Sequence, residues 1–227
     1  MTGIIGALPE ELAALLNAMD TSLAQTRGPF TLHVGRLAGK GVIVAQCGVG
    51  KVNASALTQT LIHQGVTQII FTGVAGGIAR DLKVGDIVVS SDCVQHDVDV
   101  SGLGYEPGQI PGEKLAWRAD TRLREAAIDA ARALGNVSVV SGRVLSGDQF
   151  IQDQLKAARL RETYQAACAE MEGAAVAQIC HKWDVPFVII RSISDAGDGG
   201  AATDFREFLP LAAERAATVV QRMLEKL

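Results

Sequence analysis

The chain has 227 residues, a formal net charge of -4, 48% hydrophobic and 4% aromatic residues, and 24 Gly against 6 Pro. A chain of that length buries roughly 70% of the surface its unfolded form exposes, so its core needs no metal or disulfide, and one domain spanning 1–227 is expected. The composition excludes disorder and collagen-like repeats, and the scattered Lys and Arg make nucleic acid and anionic membrane unexpected partners.

The start, MTGIIGALPEELAALL, has no basic n-region and carries Glu10 and Glu11 inside its apolar stretch, which does not fit a signal peptide. No run approaches the roughly 18 apolar residues of a membrane span, so a cytoplasmic chain is expected. Asn53 and Asn136 then match Asn-x-Ser by chance. Cys47, Cys93, Cys168 and Cys180 stand far apart without zinc-ligand spacing and read as buried reduced thiols.

Runs rich in Ile and Val predict strands at 3–6, 42–46, 68–71, 86–90, 138–145 and 186–190, several buried on both faces. Helical spacing predicts helices at 9–18, 52–64, 121–134, 172–183 and 205–227. The alternation means an α/β fold with a largely parallel or mixed sheet covered by helices. Residues 96–113, with Gly and Pro and no sustained period, read as a long loop of functional character. No repeat, linker or low-complexity tract divides the chain.

Three glycine clusters resemble nucleotide loops. GIIG at 3–6 lacks the GxGxxG spacing, and Gly48-Val49-Gly50-Lys51 is followed by Val52 where a Walker A lysine needs Ser or Thr. TGVAGG at 72–77 follows a buried strand and reads first as a tight turn. At the carboxyl end of a sheet, small residues such as Val74, Ala75 and Gly76 also let a ligand approach backbone N–H groups.

The carboxylates say more. Glu10 and Glu11 follow the first strand beside Pro9, where a first-turn acid by itself only complements the helix dipole. Glu172 stands at another strand-to-helix junction in AEMEGAA, and Asp195 ends RSISD directly after the apolar PFVII, with Asp198 close behind. In an open α/β sheet such strand ends converge on one crevice, so Glu11, Glu172 and Asp195 are expected to meet around a small ligand. The segment after Asp195 is no calcium loop, because it has glycines at ligand positions and Arg206 at the closing position. His33, His63 and His181 sit in ordinary contexts, and His96, Asp97 and Asp99 read as loop-capping residues rather than metal ligands.

Read together, IIGALPEE, CGVGKVNA, TGVAGG, LKVGDIVV, HDVDVSGLGYEPGQIPG, SGDQFI, EMEGAAVA and RSISDAGD occur in one order along nearly the whole chain. That ordered set closely resembles the 5′-methylthioadenosine/S-adenosylhomocysteine nucleosidase family of the purine nucleoside phosphorylase superfamily. The resemblance implies a single α/β domain around a central twisted mixed sheet flanked by helices, a homodimer, and no cofactor or metal. It also implies hydrolysis of the N-glycosidic bond of methylthioadenosine, adenosylhomocysteine and 5′-deoxyadenosine to adenine and the sugar.

Carried over by position, Glu11 matches the general base that activates water, and Asp195 the acid that protonates N7 of the leaving adenine. Glu172 matches the binder of the ribose hydroxyls, with Met171 packing on the sugar. Phe150 and the backbone of Ile151 match the purine site, and Phe205 matches the wall of the 5′-alkylthio pocket. Val100, Leu103 and Pro111 match loop residues lent by the neighbouring subunit, while Ser194 and Arg191 flank the acid and are expected to orient it.

Such chemistry passes through an oxocarbenium-like state and needs two acids of separated pKa: Glu11 ionised, Asp195 protonated near neutral pH. The superfamily also holds phosphorylases, which clamp phosphate with arginine. Here Glu10 and Glu11 stand near the first strand with no Arg before Arg27, and Ile69-Ile70-Phe71 precede Thr72, so water is the expected nucleophile. Val74 stands where many relatives have Ser, Leu103 replaces a commoner aromatic residue, and Gly197-Asp198-Gly199-Gly200 reads as a flexible lid. Two other readings are a futalosine or aminodeoxyfutalosine hydrolase of menaquinone synthesis, and a non-catalytic nucleoside-binding protein.

Overall fold

The apolar run TGIIG makes β1 (Thr2–Gly6), a strand buried on both faces as continuous Ile-rich strands are. The computed structural model describes residues 1–227, the side chain of Thr21 excepted. Pro9 opens α1 (Pro9–Asn17) at its first helical position, with Glu10 and Glu11 in the first turn and Leu12 and Leu15 turned inward. β2 (Thr21–Arg27) and β3 (Phe30–Leu37) then form an antiparallel hairpin, Ser22 opposite Gly35, and β3 continues antiparallel to β4 (Lys40–Gln46). Neither strand of the hairpin was expected: β2 (TSLAQTR) is largely polar, and β3 (FTLHVGRL) carries the alternation of a half-buried strand, which a search for continuous apolar runs passes over.

α2 (Lys51–His63) leads to β5 (Gln68–Gly77), which runs six residues beyond the apolar stretch that predicts it. TGVAGG is therefore not a turn but the second half of a strand, against the low strand preference of glycine. β6 (Ile87–Gln95), a long loop with one 3₁₀ turn at Ser101–Leu103, and the two-residue β7 (Trp117–Arg118) follow. Next come α3 (Thr121–Arg132), capped by Asp120, β8 (Val139–Ser146), and α4 (Gln154–Tyr164), capped by Asp153. β9 (Ala166–Glu170), α5 (Gly173–Lys182), β10 (Phe187–Asp195) and α6 (Ala201–Lys226) complete the chain. β9 and α4 were missed: AACAE lacks the branched residues that signal a strand, and α4 is largely polar. α6 starts four residues earlier than expected, so Phe205 lies inside its first turns.

The sheet is mixed, as expected, but it is not simply open. Its order runs β2-β3-β4-β1-β5, with β1 parallel to both β4 and β5. From β5 the pairing passes to parallel β10, antiparallel β6, parallel β8 and parallel β9, and β9 returns antiparallel to β5 at Gly76 and Gly77. Five strands thus close a ring, and the arm β1–β4 extends from it. Closure is what brings the ends of β5, β9 and β10 together.

The core fills both sides of this sheet with Ile4, Ile5, Ile69, Ile70, Phe71 and the stretch Val188 to Ile190, against Leu12 and Leu15 of α1 and Val219, Val220 and Met223 of α6. All four cysteines are buried and free. Among the described residues no helix is long and apolar enough to cross a membrane. Leu15 is wholly inaccessible, so Leu15→Ala is expected to cost roughly 3 kcal/mol through the lost methyl contacts and the cavity left behind. That corresponds to a fall in Tm of about 6–12 °C in a chain of this size; a thermal melt checks it, and a fall below about 2 °C would show that the site repacks.

Candidate active site

Glu11 is the third residue of α1, and from there its side chain reaches back to the helix start as a capping glutamate does. Its Oε2 accepts from the Ala7 N–H at 2.6 Å and the Leu8 N–H at 2.9 Å, and its Oε1 accepts from the Val74 N–H on β5 at 2.9 Å. A side chain at position 73 would put a Cβ within 2.2 Å of Glu11 Oε1 and 2.3 Å of an Arg191 guanidinium nitrogen, so only glycine leaves room for both charges. Burial raises the Glu11 pKa, while the nearby Arg191 charge and the three N–H donors act in the opposite direction.

Asp195 lies at the end of β10, where the pairing with β5 shifts register. The Ser194 hydroxyl donates to its Oδ2 at 2.8 Å and the Gly197 N–H to its Oδ1 at 2.9 Å. Burial again raises the pKa; these two donors oppose it, and the negative charges of Asp204 and Asp198 reinforce it. Glu11 has a cation for a neighbour and Asp195 has two further acids, which is the direction of separation a base and an acid require.

Glu172 stands at the N-terminal boundary of α5, and its side chain accepts the Gly50 N–H at 2.7 Å instead of capping the helix. Its pKa is pushed up to about 8 by burial and by the Glu170 charge, against Arg191 and the Gly50 N–H. Glu170, two residues earlier, was not singled out from the sequence. It is buried and accepts from the Ser146 hydroxyl, the N–H groups of Glu172 and Gly173, and the Arg191 guanidinium. Two acids spaced by one residue in AEMEGAA were the available signal.

These groups face one cavity enclosing about 600 Å³ of space open to solvent. Glu11, Val74, Ala75, Gly76, Phe150, Ile151, Met171, Glu172, Ser194, Asp195 and Phe205 line it, so nearly all of the sequence-derived candidates are brought together. The rings of Phe150 and Phe205 meet edge to face with centroids 5.8 Å apart. Val74 packs against Ala212 and Ala213 of α6, which seats the wall carrying Phe205. Ala7, Leu8, Val49, Gln149 and Ala169 also line the cavity and were not anticipated.

One placement differs from expectation. Arg191 does not flank Asp195 or reach the cavity wall; it lies 1% exposed beneath the site, ion-paired with Glu170 and with its Cζ 4.0 Å from the centre of the Phe71 ring. Its charge has to be neutralised in the interior, and Glu170 and Glu11 lie on that side, not Asp195. Val100, Leu103 and Pro111 do not line this chain's cavity; they belong to the long loop, where Leu103 is 76% exposed. In the same loop, Asp97 takes the Lys51 ammonium at 2.6 Å and the Asp148 N–H at 3.0 Å, and Asp99 caps Ser101, which is the capping behaviour expected of them.

Two buried carboxyls, one beside a cation and the other beside further acids, in a partly apolar cavity at strand ends fit an enzyme of acid–base chemistry on a small organic ligand. The model of the phosphorylase superfamily matches residues 2–225. The chain is 44% identical over 228 aligned positions, 99% of each chain, to the 5′-methylthioadenosine/S-adenosylhomocysteine nucleosidase of Shewanella pealeana. Its fold matches the nucleosidase of that name from Neisseria meningitidis, solved with methylthio-immucillin-A, at a TM-score of 0.97 and 39% identity, covering 100% of this chain and 99% of that one. It also matches the futalosine hydrolase of Helicobacter pylori at 0.95 and 34%, covering 100% and 97%. The chain belongs to the phosphorylase superfamily, within its methylthioadenosine/adenosylhomocysteine nucleosidase family.

The raised pKa of Glu172 has a thermodynamic counterpart. The folded chain binds this proton more tightly than the unfolded chain does, so the associated stability is complete below about 4.5 and is lost as pH rises through about 8. Glu172→Gln cannot ionise. Thermal melts are expected to show the variant gaining several degrees over the parent at pH 9 and not at pH 5; parallel pH curves would contradict the assignment.

Proposed function

We propose that the chain hydrolyses the N-glycosidic bond of 5′-methylthioadenosine and S-adenosylhomocysteine, releasing adenine and a 5-thioribose sugar. The observation that carries this reading is the pairing of Glu11 under three N–H donors and a cation with Asp195 among further acids, in one cavity. Positive charge grows on the ribose as the bond lengthens, and electrons flow into the purine. Asp195 gives its proton to N7 of the leaving base. Glu11 takes a proton from the water that attacks C1′, and its ring of N–H donors keeps it aimed as a carboxylate.

Glu172 has Oε1 committed to Gly50, which leaves Oε2 for the ribose hydroxyls, with Met171 on the sugar face. Phe150 stacks on the purine, the backbone of Ile151 reads its edge, and Phe205 walls the 5′ substituent. Phosphate does not suit this cavity, since Glu11, Glu170 and Glu172 face it and the Arg191 charge is held by Glu170. The resemblance of the whole chain also supports a cytoplasmic homodimer of one domain per chain, in which Val100, Leu103 and Pro111 complete the partner's 5′ pocket.

The likeness to a futalosine hydrolase makes a related 5′ group the second reading, and a sensor without turnover is a third. Adenine release from methylthioadenosine, adenosylhomocysteine and aminodeoxyfutalosine in competition ranks them. The expected outcome is preference for the thioadenosines, equal rates with and without phosphate, and a loss of at least about 100-fold in Asp195→Asn. Phosphate-dependent formation of a sugar phosphate, or wild-type turnover in that variant, would overturn the mechanism. Light scattering is expected to give twice the 23.8 kDa chain mass; a monomer that is fully active would exclude the shared pocket.

A further inference from the structure

Arg191 is the only guanidinium in contact with the site's acids among the described residues, and it never touches the cavity. One of its nitrogens pairs with Glu170, another lies beside Gly73 facing Glu11 Oε1, and Phe71 closes the ring face. Nothing in the chain accepts from its Nε. Its orientation therefore depends on one carboxylate and one aromatic ring. That carboxylate is itself anchored from three directions: the Ser146 hydroxyl at the end of β8, and the Glu172 and Gly173 N–H groups at the start of α5.

We propose that Glu170 is a positioning residue for the reaction: it seats Arg191 and balances its charge, so that Glu11 and Glu172 meet the substrate under a guanidinium field that is half cancelled. This rests on the hydrolytic reading above. Glu170 neither donates nor receives a proton from substrate; it acts through Arg191 and through the backbone of Glu172, which it holds at the helix start.

The groups that face this pair are Arg191 from β10, Glu11 from α1, Glu172 from the start of α5, Cys93 and His96 from β6 and the segment after it, and Cys168 from β9. Burial raises both thiols, which stay protonated, and lowers His96, whereas Glu172 is pushed up to about 8 and Glu11 is raised. Removing the Glu170 charge takes a negative neighbour from Glu172 and leaves Arg191 uncompensated beside Glu11. Both carboxyls then hold their protons less tightly, so the limb of the pH profile set by Glu11 moves toward lower pH, while the limb set by Asp195, which neither Arg191 nor Glu170 perturbs, stays in place.

The test is Glu170→Gln, followed by kcat and KM for adenine release from pH 4 to 10. The expected result is a kcat lower by about 100-fold with KM within threefold, and an acidic limb of the profile displaced toward lower pH by about one unit. A kcat within threefold of the parent, a loss confined to KM, or a reduced kcat on an unmoved profile would each overturn the proposal, the last by reducing Glu170 to a structural role. Should Glu170→Gln not give a cooperative melt, Glu170→Asp carries the question. It keeps the charge and shortens the reach, and is expected to lose about tenfold in kcat on an unmoved profile, whereas parental kcat would overturn the proposal. A parent enzyme that releases no adenine would sink the hydrolytic reading instead, which separates the two failures.

Discussion

Arginine keeps its charge in any protein interior, and an inaccessible guanidinium has to be surrounded by partners that the fold supplies. In this molecule the requirement falls on Arg191, and much of the site follows from meeting it. Glu170 must stand at the end of β9 and Glu11 at the start of α1, and β5 must pass between them with no side chain at position 73. The arrangement stabilises the fold little by itself, because the desolvation of buried ions offsets their attraction. It places one fixed positive charge beneath a cluster of acids, where it opposes the rise that burial imposes on the pKa of Glu11 and Glu172.

That central charge also explains the closure of the sheet. An open sheet would leave the ends of β9 and β10 on separate edges, with Glu170 and Arg191 apart. Returning β9 to β5 at Gly76 and Gly77 makes β5 the shared neighbour of the strand that ends in Glu170 and the strand that carries Arg191 and Asp195, which puts Glu170 and Arg191 within side-chain reach. The small residues of β5 are what permit so close an approach of three strands and two acidic side chains. The same segment donates the Val74 N–H to Glu11, so the backbone that closes the ring also holds the Glu11 carboxylate in place.

Strands β1 and β10, with Glu11 in the helix that follows the first and Asp195 at the end of the second, are legible in the sequence because strands buried on both faces are continuous apolar runs. β9 is not legible, because Ala and Cys do not announce a strand, and β5 reads as ending at Phe71 because glycine is a poor strand former. The order of motifs names the family, yet it does not reveal that Arg191 turns away from Asp195. A physical signal was present: an arginine inside the buried run FVIIRSISD requires a buried acid, and Glu170 in AEMEGAA is the natural counterpart. The N–H donors of Ala7, Leu8 and Gly50 leave no mark in side-chain patterns at all.

The ladder between β5 and β9 has two residue pairs, at Gly76 and Gly77, continued by the Ile78 and Ala79 N–H groups on the Ala167 carbonyl, whereas β5 and β10 share a ladder from Ile69 to Gly76. A structure opens first where few backbone hydrogen bonds hold it. Deuterium uptake at this seam should then precede exchange in the arm β1–β4, and each such opening would separate Glu170 from its neighbours while the rest of the sheet stays intact. The native state would thus interconvert with a folded but catalytically disassembled form, making the width of one short bridge a determinant of how much of the enzyme is competent at any moment.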